Sequence, residues 1–255
     1  MPEHRLLVLA DAHIGSAPPD AEAALLEFLE AAPSLGDELL LVGDLFEFWF
    51  AYRRVIPRRA FPVAAAIARL AARFPVAMVG GNHDRWGEPF WGAETDVRYS
   101  ARELVIDAGA RRVLALHGDG LTERPGRISL VHRVIGHPLV SGVFRLLHPD
   151  LGMRVVDRVA PWLGEGQQDA DTKRRGAARQ QRWAEARLEA DASLDAVVMA
   201  HTHVARVEHF GGARFYLNPG AWYDGGQYAV IAAAGAELRR FTPAARSPRP
   251  TASLR

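Results

Sequence analysis

The chain has 255 residues, 49% hydrophobic and 24% charged, the balance of a soluble globular protein with a substantial core. Lys+Arg of 31 against Asp+Glu of 30 leaves a formal charge of +1, so no global field marks it for nucleic acid. With no cysteine, disulfides, thiolate zinc sites, iron–sulfur clusters and Cys nucleophiles are excluded together, and any metal must be held by His, Asp, Glu or Asn.

The opening Met1-Pro2-Glu3-His4-Arg5 leads into a short apolar run ending at Asp11, too short for a signal-peptide core. No apolar stretch approaches the ~18 residues of a membrane span, so a cytoplasmic protein is expected. Leu6–Ala10 reads as a strand and runs into Asp11-Ala12-His13. Asp20 is expected to cap a helix over Ala21–Ala32, with Leu25, Phe28 and Leu29 on one stripe. Leu39–Val42 is a second strand, ending at Gly43-Asp44, and Ala60–Arg73 a second helix with Pro62 in its first turn. Val76–Val79 then meets Gly80-Gly81-Asn82-His83-Asp84, and Val113–Leu116 meets His117-Gly118-Asp119. Such continuous apolar runs predict strands buried on both faces, and their alternation with helices predicts a layered α/β core.

After Gly118 the periodicity becomes helical. Ile128–Gly136, Pro138–His148 and Gly152–Leu163 carry apolar stripes, Gly164–Asp169 is a loop, and Asp171 caps a basic helix to about Ala192. Residues 120–192 thus read as a helical cap inserted between two core strands, the second being Val197–Ala200 before His201-Thr202-His203. Val204–Phe210, Arg214–Leu217, Gln227–Ala233 and Glu237–Phe241 alternate like antiparallel strands. The expected organisation is one domain over 1–241, with 242–255 as a disordered Pro/Ser/Arg-rich tail.

Five of the ten histidines (His13, His83, His117, His201 and His203) fall at strand ends, beside Asp11, Asp44 and Asn82. In layered α/β proteins the loops at the carboxyl ends of strands converge, so these side chains are expected to meet. Imidazole mixed with carboxylate and amide oxygens suits manganese, iron or zinc rather than an all-oxygen calcium cage. The donors exceed one tetrahedral set and point to two ions, held ~3.5–4 Å apart by a bridging carboxylate as in two-metal hydrolases. No Gly-x-Ser-x-Gly elbow or phosphate-binding P-loop is present.

In order and spacing, Asp11-x-His13, Gly43-Asp44, Gly81-Asn82-His83-Asp84, His117 and His201-x-His203 resemble the signature of the calcineurin-like metallophosphoesterases. The resemblance covers about 5–120 and 195–241. It implies a sandwich of two mixed β-sheets flanked by helices. It further implies one divalent ion on Asp11, His13 and His203, a second on Asn82, His117 and His201, and Asp44 bridging them, with manganese the first candidate. Water activated between the ions would attack phosphorus, with His83 as proton donor or phosphoryl stabiliser, oriented by Asp84.

Within that superfamily, Gly43-Asp44-Leu45-Phe46-Glu47-Phe48-Trp49 is similar to the corresponding stretch of UDP-2,3-diacylglucosamine diphosphatases of lipid A synthesis. Those enzymes also carry a helical insertion before His-x-His. The implied substrate is a phosphorylated small molecule or lipid-linked nucleotide pyrophosphate, with peripheral membrane contact and no nucleic acid partner. The chain departs from the best-known branch in keeping His83 where that branch has Arg. A phosphatase or phosphodiesterase of soluble nucleotides, phosphoproteins or nucleic acid is the alternative, and a non-catalytic protein-binding scaffold a third reading. Phe46, Phe48, Trp49, Phe50 and Tyr52 read as a hydrophobic surface under the insertion, with a nucleobase platform as the other option.

Overall fold

A computed structural model describes residues 4–52, 54–122, 138–163 and 170–243. Among the described residues, eleven strands form two mixed sheets. The first has the order β11-β10-β1-β2-β3-β4, from β1 (Leu6–Leu9), β2 (Glu38–Val42), β3 (Val76–Val79), β4 (Arg98–Ser100), β10 (Gln227–Ala232) and β11 (Gly235–Arg240). The second runs β5-β6-β7-β9-β8, from β5 (Glu103–Ala108), β6 (Arg111–Leu116), β7 (Ala196–Val198), β8 (Arg206–Phe210) and β9 (Arg214–Asn218). β1, β2 and β3 pair in parallel, as do β6, β7 and β9, whereas β10 meets β1 antiparallel.

The continuous apolar runs are explained by burial on both faces. Leu6, Val8, Leu40, Val42, Ala77 and Val79 face the second sheet, where Val113, Ala115, Val198, Phe215 and Leu217 meet them. On the opposite face of the first sheet, Leu7, Leu9, Leu39, Leu41 and Met78 pack on α1 (Pro19–Leu35) and α2 (Phe61–Ala71) through Leu25, Phe28, Leu29, Ile67 and Leu70. Outside the second sheet, Leu114, Val197 and Tyr216 receive Ala184 and Leu188 of α7 (Ala170–Ala190). Helices therefore cover both sheets of the sandwich.

The segment expected as a cap lies between β6 and β7, adjacent parallel strands. Its described helices are α4 (Asp119–Thr122), α5 (Pro138–Phe144), α6 (Pro149–Leu163) and α7; a further short helix, α3 (Glu88–Glu94), follows β3. The expected segments Ile128–Gly136 and Gly164–Asp169 lie outside the described residues, as does the tail beyond 243.

Several boundaries differ from expectation. α1 begins at Pro19, not Ala21, because proline's fixed φ suits the first helical position, and Asp20 holds only the Ala21 amide (3.1 Å). Pro138–His148 is not one helix: α5 stops at Phe144, Leu146 and Leu147 turn back onto Val143 and Phe144, and Pro149 disfavours a helical His148. The strands β4 and β5 were not anticipated.

Candidate metal centre

β1, β2, β3, β6 and β7 each end in a loop bearing the residues singled out above, and those loops meet at one edge of the sandwich. The Asp11 amide donates to Gly43 O (3.2 Å) and the His13 amide to Asp44 O (3.0 Å), which ties the first two loops together. Asp11 Oδ2 accepts the His201 amide at 3.0 Å, and Asp44 Oδ1 accepts the His83 amide at 3.0 Å. Thus two carboxylates, both buried, reach loops on other strands.

The side chains converge in three overlapping groups: Asp11, His13 and His203; His13, Asp44 and His83; and Asp44, His117 and His201. Within each, one donor atom per residue lies within 4.8 Å of the others. Asp44 Oδ2 stands 3.1 Å from His117 Nε2 and 3.9 Å from His83 Nε2. His117 Nε2 is also 3.1 Å from Asn82 Oδ1, while His117 Nδ1 donates to Val42 O at 2.9 Å. That backbone acceptor fixes the tautomer, leaving Nε2 as the inward-facing nitrogen. All seven anticipated ligand positions, with His83, are brought together.

The backbone is strained where these donors sit. Among the described residues, the non-glycine positions with positive φ are Asp11 (50°), His13 (45°), Asp44 (50°), His201 (68°) and His203 (58°). Left-handed backbone costs about 1–2 kcal/mol at an ordinary residue and persists only where surrounding bonds over-determine it. Ala200, by contrast, has no positive φ, consistent with a residue other than glycine before His201.

Burial and mutual charge polarise the cluster. Burial pushes the Asp11 carboxyl up to about 7, with His117 opposing and Asp44 adding to the rise. Asp44 is held well below the usual carboxylate range, because His117 and His83 outweigh its burial. Burial pulls His117 down, yet the Asp44 carboxylate carries it up to about 10. His203 falls to about 3 through burial, then His13 and Lys173. His13 Nε2 is buried with no hydrogen-bond partner. Two buried carboxylates, an unpartnered buried imidazole nitrogen and a mixed N/O donor set fit divalent cations of the borderline class.

One assignment is corrected. Asp84 does not orient the His83 ring; its buried carboxylate gathers the backbone amides of Gly81 (2.7 Å), Asp44 (3.2 Å), Leu45 (2.7 Å) and Phe46 (3.4 Å). A side chain following His83 along a tight loop points away from its neighbour, and these amides need an acceptor. The His83 ring is set by Glu47 O, 2.7 Å from Nδ1.

Other contributors had no sequence signal of their own. Tyr223 Oη lies 2.9 Å from His203 Nδ1, and Glu47 Oε2 lies 3.1 Å from His13 Nδ1. Arg85 pairs with Asp119 beside His117 and His201. Gln180, inside the basic helix, is wholly buried under the Gly118 and Ala200 carbonyls. The aromatic stretch divides: Phe46 and Trp49 stack with Trp91 in the core, while Phe48, Phe50 and Tyr52 meet Phe144 of α5.

Residues 4–205 match the family model described as "Calcineurin-like phosphoesterase". The chain is 24% identical over 243 residues to the UDP-2,3-diacylglucosamine hydrolase of Sodalis glossinidius, covering 92% of this chain and 98% of that protein. It is 25% identical over 240 residues to the enzyme of the same name from Yersinia enterocolitica, again covering 92% and 98%. Among solved structures, it is similar to Yfce, a phosphoesterase from E. coli, with 18% identity, a TM-score of 0.42, and coverage of 89% of this chain and 87% of that one.

Proposed function

The chain belongs to the calcineurin-like phosphoesterase family and is a metal-dependent hydrolase of phosphoester bonds; from that premise we propose that it uses two divalent ions, manganese foremost, to cleave the pyrophosphate of a lipid-linked nucleotide such as UDP-2,3-diacylglucosamine. The observation that carries the dinuclear reading is Asp44 standing in two donor groups at once, with His13 on one side and His117 and His201 on the other. In this reading Asp11, His13 and His203 hold one ion, Asn82, His117 and His201 the other, and Asp44 bridges.

Bound ions of this kind supply Lewis-acid polarisation of the phosphoryl group and activation of a water nucleophile. This chain's residues do the rest. Glu47 O accepts a hydrogen bond from His83 Nδ1–H and so turns Nε2 toward the centre, where the ring, once protonated there as an imidazolium, delivers that proton to the leaving oxygen. Asp84 acts at one remove, by holding the loops of Asp44 and His83 in register.

The lipid part rests on the helices between β6 and β7 and on the relatives being UDP-2,3-diacylglucosamine hydrolases. Leu139, Val143 and Leu146 around α5, and Leu151 and Val155 on α6, are exposed. Phe144 anchors the same helices to the loop that follows Asp44. An apolar surface tied to a phosphate-cleaving centre suits an acylated pyrophosphate. No helix among the described residues is long and apolar enough to cross a membrane, so a peripheral contact of a cytoplasmic enzyme through this face is the association proposed. The catalytic unit so read comprises 1–241, with 120–192 selecting the substrate.

The test is a panel of phosphoesters and pyrophosphates, including UDP-2,3-diacylglucosamine and its deacylated counterpart, assayed with manganese, magnesium, iron and zinc. Manganese-dependent release of UMP, strongly favouring the acylated substrate, is expected. Equal turnover of the deacylated compound would remove the lipid reading. Full activity of Asn82→Ala and His83→Ala would remove the residue roles.

A further inference from the structure

Glu47 belongs to none of the donor groups, yet it touches two of the histidines that do. Its Oε2 lies 3.1 Å from His13 Nδ1, and its main-chain oxygen lies 2.7 Å from His83 Nδ1. The two rings stand edge to face with centroids 5.0 Å apart. Glu47 is itself held firmly: Ser16 Oγ donates to Oε2 at 2.7 Å, and the Glu47 amide donates to Ile14 O at 3.0 Å. The loops after β1 and β2 are thereby stitched together beside the centre.

A carbonyl and an ionised carboxylate can only accept, so each facing Nδ1 must carry the imidazole hydrogen. The lone pair of neutral His13 then resides on Nε2, the buried nitrogen with no hydrogen-bond partner, on the side of Asp11 and His203. A carboxylate behind an imidazole also raises its basicity and fixes its plane, as in carboxylate–histidine–metal arrangements.

We infer that Glu47 is the positioning residue that sets the tautomer of both histidines, its carboxylate preparing His13 as an Nε2 donor and its carbonyl preparing His83. The inference rests on the dinuclear reading above. It divides the residue's two tasks cleanly: substitution of the side chain disturbs His13, while the main-chain oxygen continues to orient His83.

The test uses the metal-free full chain titrated with Mn²⁺ by calorimetry, together with ¹⁵N-histidine NMR of the same sample. Glu47→Ala is expected to weaken one of two manganese binding classes by about 10–100-fold, the range for loss of such a partner. The other class should stay within about twofold, and Glu47→Gln, which keeps an acceptor but loses the charge, should fall between. In the NMR spectrum His13 loses its pure Nδ1–H signature, whereas His83 keeps it. Should Glu47→Ala not fold, Ser16→Ala, which releases the same carboxylate, is expected to weaken the same class about threefold. Both classes unchanged in the Glu47 variants, or an unchanged His13 tautomer, overturns the inference when His13→Ala still abolishes one class. If His13→Ala instead retains both classes, the dinuclear reading itself has failed, and the inference with it.

Discussion

Replacing Gln180 with methionine probes whether helix α7 holds one side of the centre in place. The side chain is fully buried, and Nε2 donates to Ala200 O at 3.0 Å and to Gly118 O at 3.3 Å. Oε1 accepts from Tyr216 Oη at 3.1 Å and Thr202 Oγ1 at 3.4 Å. Gly118 follows His117 and Ala200 precedes His201, so one amide spans two strand-end loops that start more than eighty residues apart. Methionine preserves length and volume but none of the bonds. Several partners keep a second contact: Ala200 O accepts from Asn218 Nδ2 at 3.2 Å, Gly118 O from the Leu121 amide at 3.2 Å, and Thr202 Oγ1 from Asn218 at 3.1 Å. The loss is therefore the two shorter bonds at about 1 kcal/mol each plus a fraction for the longer pair, about 2–3 kcal/mol in all. For a domain of this size that corresponds to a fall in Tm of roughly 5–10 °C. Calorimetry on the metal-free chain measures it, and kcat should fall as well, because His117 and His201 lose their common brace. A double-mutant cycle with Tyr216→Phe should show about 0.5–1 kcal/mol of coupling. A Tm change under about 2 °C, or strict additivity in the cycle, would refute the claim that this network braces the site.

Gly43→Ala is expected to abolish turnover and destabilise by about 3 kcal/mol, since φ is +75° and the new methyl would sit 2.5 Å from His117 Nδ1 and 2.8 Å from the Gly81 backbone. Gly211→Ala, at φ +46° with nothing within 4 Å, should cost only about 1 kcal/mol and leave kcat alone, so equal effects in denaturant titrations would contradict the steric argument. Arg111 donates to the carbonyls of Ala232 (2.9 Å), Ala213 (2.9 Å) and Ala233 (2.6 Å) while lying over the Phe215 ring. Arg111→Met should lower stability by about 3–5 kcal/mol, read as a shifted guanidinium midpoint with an unchanged slope. Leu139 and Leu146 are 73% and 86% exposed, so Leu139→Ser and Leu146→Ser should leave Tm within about 1 °C. The same pair should reduce turnover of the acylated substrate several-fold while sparing bis-p-nitrophenyl phosphate; loss of both activities would place these leucines in the general machinery instead.

What was legible in the sequence is what is encoded locally. A strand buried on both faces must be an unbroken apolar run, and the first polar residue beyond it lies at the strand's end, so Asp11, Asp44, Asn82, His117 and His201 announced their own positions. The layered α/β class followed from that pattern, and so did the expectation that the strand-end side chains meet. The sequence also marked Phe46, Phe48, Trp49, Phe50 and Tyr52 as a surface beneath the insertion; Phe144 lies against Phe48, Phe50 and Tyr52, whereas Phe46 and Trp49 stack with Trp91 in the core.

Partner choice is of another kind. Whether the Asp84 carboxylate reaches an imidazole or four backbone amides depends on how the Gly43–Phe46 turn folds over it. That Glu47 meets His13, that Tyr223 meets His203 and that Gln180 meets two carbonyls depends on loops separated by 20 to 62 residues arriving together. That α5 docks through Phe144 on Phe50 is likewise a tertiary matter, because an amphipathic stripe states that a face exists without stating what it meets. Hydrogen-bond partners are selected by distance in space, and only the packed sandwich sets those distances.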